Sequence, residues 1–299
     1  MGGTGTGILD GLGSVIYNPA TLGFHNYTQS KNFALFFNPI GSISAVRDRE
    51  KLSVDNQLEA LDWLNYAGLY IKALVYSSTS FTTVLVLSEQ LTPLPASGER
   101  KSILSGDGIL DSNFSTLSAR LRLANQVAIG ASGFLFTVRE GKRVFGSSYG
   151  VFIQPSTAVS VGVVYFDLTD DVGDSFINHS RFEDETVNVG LSYKPFKSFI
   201  LALDLRNVSE EEQDLNREFH VGMEYSPIAL FALRTGFYRA EDTQQNIYSC
   251  GLGLLDSNLF HSAQDQFVYK DFSVNYGVQI EQSEKSYHYN HFLSMLVRF

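Results

Sequence analysis

The stretch DFSVNYGVQIE, residues 271–281, decides the fold because apolar and polar side chains alternate along it without interruption. Successive side chains of a β-strand point to opposite faces, so this period of two predicts a strand with one apolar face and one polar face. No helical period fits it. The same alternation recurs at 186–194 and 217–226, which predicts a sheet built from repeated strands of one kind.

Extending the same test along the chain predicts about fourteen strands. They are expected near 32–46, 66–77, 80–88, 114–123, 126–138, 143–154, 157–168, 186–195, 198–207, 217–226, 229–240, 245–255, 267–281 and 286–299. An even number of tilted segments about ten residues long is typical of transmembrane β-barrels of the bacterial outer membrane. A soluble β-sandwich is the alternative for alternating strands. Charges on the polar faces and the segment lengths favour the all-β transmembrane antiparallel barrel.

The links between these strands support the barrel, because short turns on one rim and longer loops on the other are typical of this class. Short links are expected at 77–80, 124–126, 154–156, 194–197 and 226–228, and they alternate with long links at 47–65, 89–113, 169–185, 208–216, 241–244 and 282–286. The links 139–142 and 256–266 break this pattern. With an even strand count, both chain ends fall on the rim of short turns, which is expected to be periplasmic.

Composition excludes several other classes of protein. No apolar run approaches the roughly 20 residues of a membrane-spanning helix, and the mean hydropathy is -0.03. The net charge of -10 leaves no basic footprint for nucleic acid. One cysteine, Cys250, cannot form an internal disulfide framework or a cysteine-rich zinc site.

The last predicted strand, YHYNHFLSMLVRF at 287–299, has aromatic residues at both ends of an apolar face. Leu293 and Phe299 lie on that face with Tyr287 at its far end, while His291 interrupts it. Aromatic girdles at the two membrane interfaces require this arrangement. A terminal Phe299 on such a strand also looks like the signal that the assembly machinery of outer-membrane proteins reads.

The N-terminal sequence contains MGG at 1–3 and NPATL at 18–22. With these motifs it resembles the opening of the FadL-type outer-membrane protein superfamily, which includes transporters of hydrophobic compounds and PorV-like and PorQ-like proteins. Thr21 replaces the glycine that is usual there. Further matches follow in order at 150–165, 201–205, 221–227, 233–238, 251–253 and 291–294. The resemblance covers most of the chain, and residues 256–266 depart from it as an insertion.

The resemblance implies a barrel over residues 32–299 with residues 1–31 folded inside it as a hatch. The hatch residues would be Asn18, Pro19, Ala20 and Leu22. It further implies passage of hydrophobic small molecules of the fatty-acid or hydrocarbon class. The alternative is a structural or shuttle component of a protein-secretion system that binds partners through loops 89–113 and 169–185. Either role places the protein among outer-membrane lipids, and a signal peptide is expected upstream.

Charged residues on the polar faces are expected to point into the lumen. This set comprises Lys72, Arg120, Arg122, Asp204, Arg206, His220, Glu224, Arg234 and Arg298. Charges removed from bulk water must be paired or hydrated. They therefore form either a cross-strand ion network that anchors the hatch or a polar lining that meets a substrate. The apolar lumen candidates are Ile200, Leu230 and Phe292.

No catalytic, metal or cofactor motif survives closer reading. The pattern GSSYG at 146–150 matches a nucleophile elbow, but it leads into a strand where that motif requires a helix. His288 and His291 are three residues apart and so belong to opposite faces of a strand. The glycine-rich start follows no strand and fails the dinucleotide fingerprint. The sequence therefore predicts a protein that is not an enzyme.

Overall fold

The computed structural model describes residues 1–9, 12–23, 31–38, 67–68, 70–90, 113–137, 143–168, 185–209, 217–228, 231–240, 245–254, 271–282 and 287–298. A short helix, α1 (Ser14–Tyr17), and a single 3₁₀ turn (Pro19–Thr21) precede the strands. The strands are β1 Lys31–Phe37, β2 Ile71–Ser78, β3 Phe81–Gln90, β4 Asn113–Ala124, β5 Val127–Thr137, β6 Arg143–Ile153, β7 Val159–Leu168, β8 Thr186–Phe196, β9 Phe199–Arg206, β10 Glu218–Ile228, β11 Phe231–Ala240, β12 Gln245–Leu254, β13 Asp271–Gln282 and β14 Tyr287–Arg298.

These strands form one closed antiparallel barrel in which each strand pairs with its neighbours in sequence. The barrel closes where β1 meets β14, with Phe36 opposite Arg298 and Phe37 opposite Val297. The predicted fold class is therefore confirmed, and most strand bounds agree within two or three residues. The largest difference at a strand start is in β2, which begins at Ile71 rather than 66.

The two faces of the wall differ as the alternation predicts, and β6 illustrates this. Its buried residues alternate with exposed ones along the whole strand. Phe145 and Tyr149 are 65% and 54% exposed, whereas Phe152 on the other face is 2% exposed. Large exposed apolar side chains on every second residue match the lipid-facing band of a membrane-spanning barrel. The buried face is the inward one.

The outward face of β14 keeps the aromatic end that the sequence predicts. Tyr287 and Tyr289 are 58% and 59% exposed, and Leu293 is 60% exposed. His291, which interrupts the apolar face, lies with its Nδ1 atom 2.7 Å from the hydroxyl oxygen of Tyr276 on β13. The hydrogen bond between these two polar side chains lowers the free-energy cost of placing them on the outward face of the barrel. Phe299 lies outside the described residues.

Two apolar clusters occupy the inward face. The first joins β4 to β7 through Phe114, Phe134, Phe136, Val144, Val164, Phe166 and Leu168. The second joins β1 to β3 with the N-terminal segment through Val15, Leu22, Ala34, Phe36, Ala73, Val75, Val84 and Val86. The core of the protein is thus the filled interior of the barrel. Among the described residues, none of the helices has the length and apolar character needed to span a membrane.

Candidate functional site

The candidate site is the inward face of the barrel together with the N-terminal segment, by which we mean the described residues 1–9 and 12–23. Asn18, Ala20 and Leu22 are each 0% exposed. The segment turns through α1 and the 3₁₀ turn, and the amide of Asn18 donates to the carbonyl of Ser14 at 2.9 Å. Since these turns are too short to be stable alone, contacts with the wall must fix the segment.

Asn18 makes most of the polar contacts at the centre of the segment. Its Nδ2 atom lies 2.9 Å from the carbonyl oxygen of Thr6, 3.2 Å from that of Val151 and 3.4 Å from that of Val163. Its Oδ1 atom accepts the amide of Ala20 at 3.0 Å and so caps the 3₁₀ turn. One side chain therefore joins two parts of the segment to strands β6 and β7.

The other expected hatch residues surround this cap. Pro19 begins the 3₁₀ turn, where its missing amide hydrogen costs nothing. Leu22 belongs to the apolar cluster of β1 to β3. The carbonyl of Leu22 accepts a hydrogen bond from Nη1 of Arg120 at 3.1 Å. Arg122 lies two residues further along β4 on the same face and is half-buried.

A row of glycines on the wall allows the backbone of the segment to approach. A Cβ atom added at any of them would lie closer to the segment than real Cβ contacts allow. The row comprises Gly130, Gly150, Gly162, Gly190, Gly222 and Gly236. The row crosses neighbouring strands of the barrel, since Gly130 pairs with Gly150, Gly162 with Gly190, and Gly222 with Gly236. Glycine at these positions serves the close approach of two backbones.

Three of the predicted lumen charges converge on the first residues of the segment. Oδ2 of Asp204, which is 0% exposed, accepts the backbone amides of Gly5 at 2.8 Å and Thr6 at 2.9 Å. Arg206 donates to the carbonyl oxygen of Gly3. Nδ1 of His220 lies 2.7 Å from the carbonyl oxygen of Gly2. Charged side chains are strong hydrogen-bonding partners, particularly where water is excluded.

Glu218 is a member of this group that the sequence reading missed. Its Oε2 atom lies 2.9 Å from Nε2 of His220, and both side chains are almost fully buried. The signal was available, since Glu218 lies two residues before His220 on the same face of β10. The ring of Tyr238 on β11 stacks on the ring of His220, with the ring centroids 4.3 Å apart.

Glu224 and Arg234, two further residues of the predicted charged set, form a separate group. Nε of Arg234 donates to Oε2 of Glu224 at 2.6 Å, and its Nη1 donates to Oδ1 of Asn275 at 2.8 Å. The side chains of Arg234 and Glu224 are 21% and 16% exposed. They are therefore less enclosed than the group around Asp204.

The remaining predicted lumen residues divide as follows. Ile200 is two residues before the buried Ala202 on β9, so both side chains point to the inward face. Phe292 lies on the inward face of β14. Lys72 lies at a register shift in β2, where Phe36 pairs with Ala73 and Phe37 with Ile71. Leu230 and the side chain of Arg298 lie outside the described part of the structure.

The first apolar cluster brings four aromatic rings together on the inward face of β4, β5 and β7. The ring of Phe114 lies 6.0 Å from that of Phe134 and 5.7 Å from that of Phe136, measured between centroids. Phe166 joins them, and Ile16 of α1 packs against the cluster. In the described residues, no three or more His, Cys, Asp or Glu residues form a group that could hold a metal ion.

A comparison with one solved structure agrees with this architecture. The chain is similar to the CymD monoaromatic hydrocarbon channel, with 11% sequence identity and a TM-score of 0.52 over 100% of this chain and 94% of that chain. A mutant of the Rh. blastica porin is 12% identical, with a TM-score of 0.39 over 76% of this chain and 75% of that chain. No family model matches the sequence, and no curated protein matches it either. At such low identity, the similarity to the CymD channel shows the fold.

Proposed function

We propose that the protein is a channel of the bacterial outer membrane that passes hydrophobic small molecules of the fatty-acid or hydrocarbon class. The N-terminal segment would act as its hatch, with Asn18, Pro19, Ala20 and Leu22 at the centre. The observation that carries the proposal is the aromatic cluster on the inward wall. A water-filled barrel has a polar interior, whereas this wall packs Phe114 against Phe134, both 0% exposed, so a solute would have to displace part of their present packing.

The position of the cluster relative to the segment supports a gated path. Gly146, Ser148 and Gly150 follow one another on the inward face of β6. An added Cβ at Gly146 would meet the cluster, and one at Gly150 would meet Asn18. The cluster thus lies directly beyond the segment, away from the rim of short turns. An apolar solute gains roughly 25 cal/mol for each Å² of apolar surface that leaves water for such a wall.

The fold that the chain shares with a monoaromatic hydrocarbon channel is consistent with this substrate class. The chemistry proposed here requires no catalytic group and no cofactor, because the solute crosses unchanged. Contacts of Asp204, Arg206 and His220 with the segment provide points at which the hatch could be released stepwise. We therefore infer that the ion network anchors the hatch rather than binds the solute.

A second candidate is a scaffold of a protein-secretion system, and one observation favours it. The glycine row places the segment against the wall from β5 to β11, and a plugged lumen is what a scaffold requires. Its partner-binding loops at 89–113 and 169–185 fall almost entirely outside the described residues. The two candidates differ in ligand binding, because only the channel requires a saturable site for an apolar molecule.

The test is native mass spectrometry of the full chain, titrated separately with oleate and with phenanthrene. We expect one saturable site for at least one probe. Replacing Phe134 by Ser removes apolar contact worth about 1.5–3 kcal/mol and should weaken binding by roughly 10-fold or more. The matched control is Phe145→Ser, which alters a phenylalanine on the outward face of the next strand. Absence of saturable binding, or equal losses in both variants, would refute the channel and favour the scaffold.

A further inference from the structure

Both ring nitrogens of His220 face an oxygen atom. Nδ1 lies 2.7 Å from the carbonyl oxygen of Gly2, and Nε2 lies 2.9 Å from Oε2 of Glu218. Turning the ring over would place carbon atoms against both oxygens, so the observed orientation is the one that forms hydrogen bonds. The side chains of Glu218 and His220 are at most 2% exposed, so water competes little for these contacts.

These two contacts fix the number of protons that the Glu218–His220 pair must carry. A carbonyl oxygen can only accept a hydrogen bond, so Nδ1 must carry a hydrogen. Nε2 then meets Glu218 either as a second N–H group or as the acceptor of a proton on the carboxyl group. In both arrangements the pair holds one proton more than a neutral imidazole beside an ionised carboxylate.

The charged and titratable groups that surround His220 favour this extra proton. They are Glu218 on its own strand, Asp204 and Arg206 on β9, Tyr238 on β11 and, beside Arg206, Tyr17 of the segment. His220 and the three charged residues are each at most 2% exposed. One guanidinium among two carboxylates leaves a net negative charge unless the pair holds the extra proton. Since an uncompensated charge in such an interior is costly, the protonated pair is the stable one.

We propose that this extra proton controls the attachment of the start of the N-terminal segment, and that its loss at higher pH releases residues 1–4. The one hydrogen left on the ring can serve only one of the two oxygens. It goes to the carboxylate, because a charged acceptor forms the stronger hydrogen bond. The bare Nδ1 then repels the carbonyl oxygen of Gly2. Release is local, since Asp204 keeps its hydrogen bonds to the amides of Gly5 and Thr6.

This regulation rests on the proposed role of the segment as a hatch, because a hatch that is partly released at higher pH opens more readily. The attachment of residues 1–4 is measured without a solute, so the two proposals fail separately. Saturable binding of oleate together with a pH-independent attachment would overturn the regulation and leave the channel. A pH-dependent attachment without saturable binding would refute the channel alone.

The experiment measures how fast a thiol at residue 4 reacts with a maleimide in the full chain, purified in detergent. The protein carries Thr4→Cys at a buried position and Cys250→Ser, which removes the exposed natural thiol. Rates are divided by those of the denatured protein at the same pH, which corrects for thiol ionisation. Between about pH 6 and about pH 9, protection should fall about 10-fold or more, as expected for the loss of one hydrogen bond to a charged group.

Two controls separate the proton from other effects of pH. Thr21→Cys in place of Thr4→Cys reports on the end of the segment that Asn18 holds, and it should stay protected. Glu218→Gln supplies a carboxamide that can donate to Nε2, so His220 then needs only the hydrogen on Nδ1 to hold Gly2. Protection should therefore persist at the higher pH. Glu224→Gln makes the same change four pairs of contacts away from this group and should keep the pH dependence.

Nitrogen NMR of the histidine rings in the unmodified protein keeps the proposal testable if a variant fails to fold. The signals of His220 are those that disappear in His220→Gln. At the lower pH they should show a hydrogen on Nδ1, and at the higher pH a hydrogen on Nε2 alone. Protection of residue 4 that does not depend on pH, a pH dependence that survives in Glu218→Gln, an equal loss at residue 21, or an Nδ1 without hydrogen at the lower pH would overturn the proposal.

Discussion

Replacing Asn18 by Ala should loosen the N-terminal segment and its attachment to the barrel wall while leaving the barrel closed. Three of its hydrogen bonds, to Thr6, Val151 and Ala20, measure 2.9, 3.2 and 3.0 Å. Each is worth about 0.5–1.5 kcal/mol. Their loss therefore costs about 1.5–4.5 kcal/mol. The contact of Asn18 with Val163 is longer, at 3.4 Å, and adds little to this sum.

The measurement is hydrogen exchange of the full chain in detergent, followed by mass spectrometry of peptides from residues 1–23. A loss of about 1.5–4.5 kcal/mol should accelerate exchange of the protected amides by roughly 10- to 2,000-fold. Exchange in the strands of the barrel should stay unchanged. This local pattern separates detachment of the segment from general unfolding.

The control variant is Asn188→Ala, which removes a buried asparagine of the same wall. Oδ1 of Asn188 accepts the amide of Asn207 at 3.0 Å, so its loss should accelerate exchange near residue 207 and not in the segment. Protection of residues 1–23 that stays within about 3-fold of the unmodified protein in Asn18→Ala would refute the reasoning. Asn18 would then be a residue that fits its site without holding the segment.

Two further predictions concern the anchoring group and the end of the chain. Asp204→Ala removes a buried carboxylate that binds the amides of Gly5 and Thr6. It should cost about 3–6 kcal/mol and so accelerate exchange at these amides more than Asn18→Ala does; a smaller effect would argue against charge-assisted anchoring. Phe299→Ser should lower the yield of assembled barrel, measured as the heat-modifiable form on a gel, and normal assembly would exclude Phe299 as an assembly signal.

The fold could be predicted from the sequence because its signal is local. Each strand has its own alternation of apolar and polar residues, as residues 271–281 do. Fourteen such strands have few arrangements that enclose all of their polar faces. The position of β2 was less predictable, since the register shift opposite Phe36 and Phe37 depends on a neighbouring strand. His291 breaks the apolar face of β14, and only its contact with Tyr276 explains why this is tolerated.

The site could be predicted less completely because its contacts join residues distant in sequence. The alternation of side chains along the strands was enough to predict that Asp204 and His220 lie on the inward face. It could not indicate that they bind Gly2, Gly5 and Thr6, about two hundred residues away. The role of Gly162 could not be predicted either, since glycine occurs within strands for several reasons. Its close contact with Thr6 depends on the three-dimensional structure.

The closure of the barrel between β1 and β14 has a consequence for how the molecule is made. The N-terminal segment precedes β1 in the chain, yet it lies against strands β5 to β11 inside the wall. The wall is complete only where the last strand to be synthesised pairs with the first, so this closure also encloses the segment. If the wall closed before the segment was inside, the more than twenty residues of the segment would have to pass through an opening at the rim. The closed sheet thus surrounds the residues that begin the chain.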